Sequence, residues 1–158
     1  MKLSLIIPAY NEEATIIQLL ELVEEHQSKI SDVEFEVIVI DDGSKDKTAE
    51  LIESRPELYS KFIPMLKNGG KGAAVREGLK HAVGDYILFQ DADLDFHPRE
   101  YSKLIQPVRE FGAEVVVGSR FLAAPYTRVL APLFLYGNRA LTIFFNVLFY
   151  KTFTDIYT

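Results

Sequence analysis

The chain has 158 residues, 48% of them hydrophobic, a formal net charge of -6 and no cysteine. That length supports one domain with a sizeable core, while the acidic balance argues against a nucleic-acid partner. Without thiols there are neither disulfides nor thiolate metal sites, as expected of a cytoplasmic protein.

The opening "MKLSLIIPAYNEE" has one lysine and a short apolar run that reaches Pro8 and then polar residues. It reads as a first strand, not as a signal peptide. "EEATIIQLLELVEEHQSKI" follows with Ile16, Leu19, Leu20 and Val23 at helical spacing. "EFEVIVIDDGS" is a second, almost continuously apolar strand that stops at two aspartates, and "KDKTAELIES" is a short helix capped by Ser44 or Asp46. "KFIPML" reads as an edge strand, because Pro64 has no ladder donor. Then come the helix "AAVREGLKHAV", the strand "DYILFQ", the helix "PREYSKLIQPVREFG" and a fifth strand, "AEVVVGS".

Buried, β-branched strands separated by helices predict an α/β fold: a doubly wound, mostly parallel, Rossmann-like sheet with helices on both faces. In such sheets ligands bind outside the carboxyl ends of the strands. Polar signatures stand at four of those ends: "PAYNE", "DDGS", "DADLD" and "GSR". Residues 1–120 therefore read as the ligand-binding part. Residues 121–158 differ in character, being rich in Phe and Leu, and belong to the same domain. There Asn138, Arg139, Thr142 and Asn146 share an arc of about 100°, leaving Leu141, Phe144, Phe145, Leu148 and Phe149 on a wide apolar face. Such a helix either packs on the sheet or lies in a membrane interface. No run of 18 apolar residues occurs, so no spanning helix is expected.

In "QDADLDFHP", Asp91, Asp93 and Asp95 alternate. In an extended chain, side chains two apart project to one side, with Cα atoms about 6.5–7 Å apart. Carboxylates so close repel, and a hard divalent cation such as Mg²⁺ or Mn²⁺ removes that cost while leaving positions for water and substrate phosphates. Asp91 and Asp93 are the candidate pair and Asp95 extends the row; a solvated acidic loop is the plain alternative. A calcium EF-hand loop is excluded, since Phe96 stands at the required glycine and Ser102 at the required glutamate.

Asp41 and Asp42 have two readings: they cap the following turn, with Gly43 at positive φ, or one accepts hydrogen bonds from a base or ribose. "KNGGKGAAVREG" resembles a phosphate cradle at a helix start, with Lys67 or Lys71 facing the phosphate. It is not a Walker A loop, because Gly72 follows Lys71 and Met65 replaces the first glycine. Arg120 can reach a pyrophosphate oxygen or pair with the acidic cluster. His26, His81 and His97 lack ligand spacing.

Together, "SLIIPAYNEEATI", "VIVIDDGSKDKT", "NGGKGAAVREGL", "GDYILFQDADLDFHPREY" and "VVVGSRF" resemble, in order and spacing, the family-two inverting glycosyltransferases of GT-A fold. "GNRALT" and "TDIYT" bring the chain nearest to the polyprenyl-phosphate branch, the dolichol-phosphate mannose and glucose synthases. The resemblance implies transfer of a hexose from a UDP- or GDP-sugar to a polyprenyl phosphate, with inversion and with Mg²⁺ or Mn²⁺. It places Pro8, Ala9, Tyr10 and Glu12 beside the nucleotide, Ile40, Asp41 and Asp42 at the base and ribose, and Lys71 near the phosphates. It makes Asp91, Ala92 and Asp93 the Asp-x-Asp site, Asp95 an added metal ligand, Arg120 a phosphate or sugar contact, and Asp155 the acceptor-side acid. Asp93, Arg120 and Asp155 are the catalytic candidates. Members of the branch continue past the "TD" motif, so the chain reads as C-terminally truncated, with apolar surface available for a homodimer or peripheral membrane contact. Two rivals are a nucleotide-sugar-binding module without turnover and a nucleotidyltransferase. The latter wants a Gly- and Arg-rich loop after the first strand, where "PAYNEE" stands.

Overall fold

A computed structural model describes residues 1–118, 132–150 and 152–154. In chain order the elements are β1 (Lys2–Ala9), α1 (Ile16–Gln27), β2 (Glu34–Asp41), α2 (Thr48–Glu53), β3 (Lys61–Pro64), α3 (Lys71–His81), β4 (Tyr86–Phe89), α4 (Tyr101–Phe111) and α5 (Pro132–Phe149). The chain forms two compact units, Met1–Tyr101 and Ser102–Thr158.

The first unit holds a sheet of order β3-β2-β1-β4 in which every pairing is parallel. Parallel pairing needs a crossover between successive strands, and α1, α2 and α3 supply it. The order reverses at β1: β2 and β3 lie on one side and β4 on the other. Ile6, Ile38 and Ile40 pack with Ala74 of α3 on one face, and Leu5, Ile7, Val37 and Val39 are fully buried on the other. Both faces are thus covered, as the continuous apolar runs require. Each such side chain contributes about 2 kcal/mol through burial. α1 buries Ile16, Leu19, Leu20 and Val23, the stripe set by its spacing.

β3 lies at the sheet edge and ends at Pro64, opposite Asp41. The other edge is β4, and the ladder there stops for a stereochemical reason. Residue Ile6 of β1 bonds toward β4, its carbonyl accepting the Gln90 N–H (3.0 Å), while Ala9 bonds toward β2, its carbonyl accepting the Asp42 N–H (2.8 Å). Strand residues alternate in this way, so Pro8 faces β4, and it has no N–H to give. β1 and β4 part at that point.

α2 begins later than expected, at Thr48. Asp46 accepts the Thr48 N–H (3.0 Å), whereas the Ser44 hydroxyl accepts the N–H of Asn11 (2.9 Å). The expected fifth strand is corrected: residues 113–118 form no ladder, and Val115 and Val117 are exposed. β-branched composition makes a strand only where a partner edge accepts it. In the second unit the wheel of α5 has its apolar face largely exposed and part of its polar arc buried. Asn138 and Thr142 are buried, with the Thr142 hydroxyl donating to Asn138 Oδ1 (3.3 Å), whereas Leu141, Phe144, Leu148 and Phe149 are exposed. Asn146 holds the backbone of Phe153 through both amide groups (2.7 and 2.9 Å). Among the described residues, no helix is long and apolar enough to cross a membrane.

Two measurements test this packing. A Cβ on Gly78 would meet Ile40 Cδ1 and Ile6 Cγ2 at 2.8 Å, so Gly78→Val should cost about 1–3 kcal/mol in urea unfolding. Where β4 begins, Glu36 Oε2 accepts the Ser4 hydroxyl (2.5 Å) and the Val83 N–H (3.0 Å). Burial opposes the Glu36 charge, but these bonds and the lysines Lys2 and Lys61 outweigh it and hold the carboxyl below its ordinary value of 4.5. A depressed carboxylate stabilises the fold above its unfolded value and loses that contribution as pH falls through the folded one. The melting temperature of wild type should therefore exceed that of Glu36→Gln at neutral pH, and the gap should narrow on acidification below 4.5.

Candidate functional site

Register brings the strand ends level. Ala9, Asp41 and Pro64 lie opposite one another across β1, β2 and β3. β4 pairs Phe89 with Ile6; carried on in register, Asp91 and Ala92 fall beside Pro8 and Ala9. Where Pro8 parts the strands, a cleft of about 440 Å³ opens.

Its β1 wall is Pro8, Ala9, Tyr10 and Glu12, and its β4 wall is Asp91, Ala92 and Asp93. Asp42 comes from the end of β2; Asn68, Gly70, Lys71 and Ala74 come from the loop before α3 and its first turns. Tyr10 lines the cleft and is exposed. Asn11 takes φ +55°, a left-handed conformation that Asn tolerates, and turns the chain away from β1.

The loops are tied to one another. Asn11 exchanges two bonds with the β2–α2 loop, its N–H donating to Ser44 Oγ (2.9 Å) and its Oδ1 accepting the Lys45 N–H (2.8 Å). The Glu12 N–H donates to Thr48 Oγ1 (2.8 Å), and the Glu12 carboxylate accepts the Thr15 hydroxyl (2.7 Å). Glu13 completes the latch: its N–H reaches Asp46 Oδ2 (3.2 Å), and its carboxylate accepts the Lys47 N–H (3.0 Å).

The paired aspartates take different partners. Asp41, 3% exposed, accepts the Ser44 N–H (3.2 and 3.3 Å) and forms the turn. Asp42, 2% exposed, lines the cleft and accepts the Gly69 N–H (2.8 Å), tying the glycine loop to β2. Gly43 is required directly after them: it has φ +68°, and a Cβ there would lie 2.7 Å from the backbone of Lys67 and Asn68.

The glycine loop ends in Gly70 at φ +82°, whose carbonyl accepts the Ala73 and Ala74 N–H groups of the first helical turn. Lys71 thus begins α3, and its ammonium pairs with Asp91 Oδ1 at 2.5 Å. Lys67 is not on the cleft wall. Asp93 Oδ1 accepts the Asp95 N–H (3.1 Å) across Leu94 at φ +64°. This turn keeps Asp95 off the wall. Among the described residues, no three His, Cys, Asp or Glu side chains converge as a ready metal cage. The cleft instead offers Asp91 and Asp93, hard oxygen donors with a cation already on one of them. That donor set suits an open site whose other positions are taken by water and substrate phosphates.

Of the residues expected at the site, Ile40 lies within the core under α3, fully buried, and Asp41 lies under the turn; neither lines the cleft. Arg120 and Asp155 lie outside the described residues. Sequence reasoning passed over Asn68, Gly70 and Ala74, although the motif "KNGGKGAA" contains them. Of the latch residues, it passed over Asn11 and Thr48 and read Ser44 only as a helix cap.

The model of the family "Glycosyl transferase family 2" matches residues 4–153. The chain is 34% identical over 123 residues to a dolichol-phosphate mannosyltransferase of Pyrococcus furiosus, covering 77% of this chain and 34% of that protein. It is 37% identical over 139 residues to a dolichyl-phosphate beta-glucosyltransferase of Trichomonas vaginalis, covering 80% and 42%. The chain therefore spans well under half the length of these relatives. Among solved structures it is similar to S. aureus TarS 1–349 in complex with UDP, at TM-score 0.59 and 32% identity over 71% of this chain and 33% of that one. It is also similar to a mannosyltransferase from Pyrobaculum calidifontis in complex with GDP-Man and Mn²⁺, at TM-score 0.59 and 25% identity over 69% and 32%. A GT-A-type cleft at the reversal of a parallel sheet and a family match over nearly the whole chain agree: the chain belongs to glycosyl transferase family 2.

Proposed function

We propose that the cleft binds a UDP- or GDP-sugar with Mg²⁺ or Mn²⁺, and that the whole protein transfers the hexose, with inversion, to a polyprenyl phosphate. The observation that carries this reading is the meeting of Asp42, Asp91 and Asp93 around one cleft at the point where the strand order reverses. Relatives named for dolichol-phosphate acceptors, and similar structures holding UDP or GDP-Man, support the substrate classes.

In this reading Tyr10 and Asp42 hold the nucleoside end, Tyr10 through its ring face and Asp42 by accepting hydrogen bonds. Asp91 and Asp93 hold the divalent cation, which when bound offsets the charge gathered on the diphosphate as it leaves. Lys71, which lines the same cleft and carries its ammonium beside Asp91, would donate to a phosphate oxygen. The acceptor oxygen attacks the anomeric carbon opposite the diphosphate; one C–O bond forms as the other breaks, and the electron pair leaves with the diphosphate. A phosphate acceptor is already anionic, so it needs little base assistance, whereas a hydroxyl acceptor would need a base. Asp155 is the candidate for that base and Arg120 for a further phosphate contact, both on the resemblance alone. The exposed apolar side of α5, with Leu141, Phe144 and Leu148, suits contact with a lipid acceptor at a membrane surface.

Thermal-shift measurements with UDP, GDP, UDP-glucose and GDP-mannose, each with and without Mn²⁺, test the donor site. One nucleotide class should stabilise the protein, and more so with Mn²⁺; no shift under any condition sinks the assignment. Asp91→Ala should lose the Mn²⁺-dependent increment with an unchanged circular dichroism spectrum. Asp42→Ala should behave differently, losing about 1–3 kcal/mol of stability because the Gly69 N–H is left unpaired and weakening nucleotide binding with and without metal.

A further inference from the structure

Gln90 stands between the apolar strand β4 and Asp91, and it is 2% exposed. Its Nε2 donates to the carbonyls of Asp91 (2.9 Å) and Phe96 (2.8 Å), and its Oε1 accepts the Tyr101 hydroxyl (2.9 Å). Both amide hydrogens are thus spent on the two ends of the segment 91–96. The amide cannot be turned over, because its oxygen would then face two carbonyls. Tyr101 is also 2% exposed, and its ring stacks on Phe35 of β2 at 6.1 Å between centroids and 25° between planes. Burial raises the Tyr101 pKa, which keeps the phenol a donor.

Between the clamped ends the loop is strained: Leu94 has φ +64°, a conformation a leucine keeps only where its surroundings over-determine it. The Asp95 N–H to Asp93 Oδ1 is a local restraint. Gln90 closes the whole segment and Tyr101 fixes Gln90 to the sheet through Phe35.

We infer that Gln90 and Tyr101 are positioning residues for the carboxylate loop, clamping residues 91–96 at both ends so that Asp91 and Asp93 reach a bound cation and nucleotide together. This rests on the donor-site reading above. A loop already fixed spares the ligand the entropy of ordering it, so losing the clamp weakens cation binding without touching a ligand atom.

The test uses the full chain, with Mn²⁺ titrated by electron paramagnetic resonance in the presence of UDP or of GDP, and with hydrogen exchange at residues 91–96. Tyr101→Phe keeps the ring on Phe35 and removes only the hydroxyl. It should weaken Mn²⁺ binding about tenfold, leave the affinity for nucleotide alone unchanged, and speed exchange in the loop. Gln90→Met should do at least as much, and the double variant no more than Gln90→Met, since both side chains act through one amide. Should Gln90→Met fail to fold, Tyr101→Phe decides alone. A variant that melts earlier but binds Mn²⁺ as wild type does makes the pair merely structural and overturns the inference, as does additivity of the two losses. Wild type binding no Mn²⁺ with either nucleotide is a different failure: it removes the donor-site reading, and the clamp's positioning role with it.

Discussion

The absence of one backbone donor organises this site. β1 offers its hydrogen-bonding groups alternately to β2 and β4, and Pro8 falls on the β4 side with nothing to donate. On the β2 side the ladder continues to Ala9 and Asp41, whereas on the β4 side pairing ends at Ile6 and Phe89. The sheet therefore splits along one seam, at its central strand and at its carboxyl edge. The same place is the reversal of strand order, where neither neighbouring crossover covers the opening. A residue with an N–H at that position would let β4 stay paired further and would narrow the gap between Tyr10 and Asp91.

What the seam exposes is then fixed by loops that brace one another. Asn11 and Glu12 after β1 bond to Ser44, Lys45 and Thr48 after β2. Asp42 after β2 bonds to Gly69 before α3, and Lys71 at the start of α3 reaches Asp91 after β4. The four strand-end segments form a chain of contacts, each made by a side chain or backbone group at a strand's carboxyl end. Individually such bonds contribute about 1 kcal/mol, too little to fold a loop but enough, in series, to choose one arrangement of an already closed loop.

The sheet was legible because burial on both faces writes itself as continuous apolar runs, and the site because polar residues interrupt those runs at the strand ends. Asp91, Asp93 and Asp42 could be picked out in this way. The division of labour between Asp41 and Asp42 could not, since it depends on which face of β2 each residue takes and on a glycine loop 27 positions away. Ile40 shares a face with Ile38 and Asp42, yet it stops one layer short of the cleft and fills the core beneath α3. Residues 113–118 misled by composition: valines favour strands only where an edge receives them, and this segment pairs with no strand among the described residues. In α5 the polarity of Asn138 and Thr142 does not mark a solvent-facing side, because their mutual hydrogen bond allows them to be buried.

The charge of the cleft constrains its ligand more tightly than its shape does. Glu12, Asp42, Asp91 and Asp93 line it, and Lys71 is the one cationic side chain among the described lining residues. A diphosphate brought to that wall alone meets a surplus of its own sign. At about 4 Å each such pair costs ~1 kcal/mol in water and ~4 kcal/mol at the lower effective dielectric near a protein surface. On the proposed reading an anionic nucleotide is therefore held more tightly here when a further cation comes with it, and the neighbouring carboxylates Asp91 and Asp93 are where a divalent ion would gain most. On the proposed reading, the acidity that would repel a bare diphosphate would favour its metal complex, at the seam that Pro8 opens.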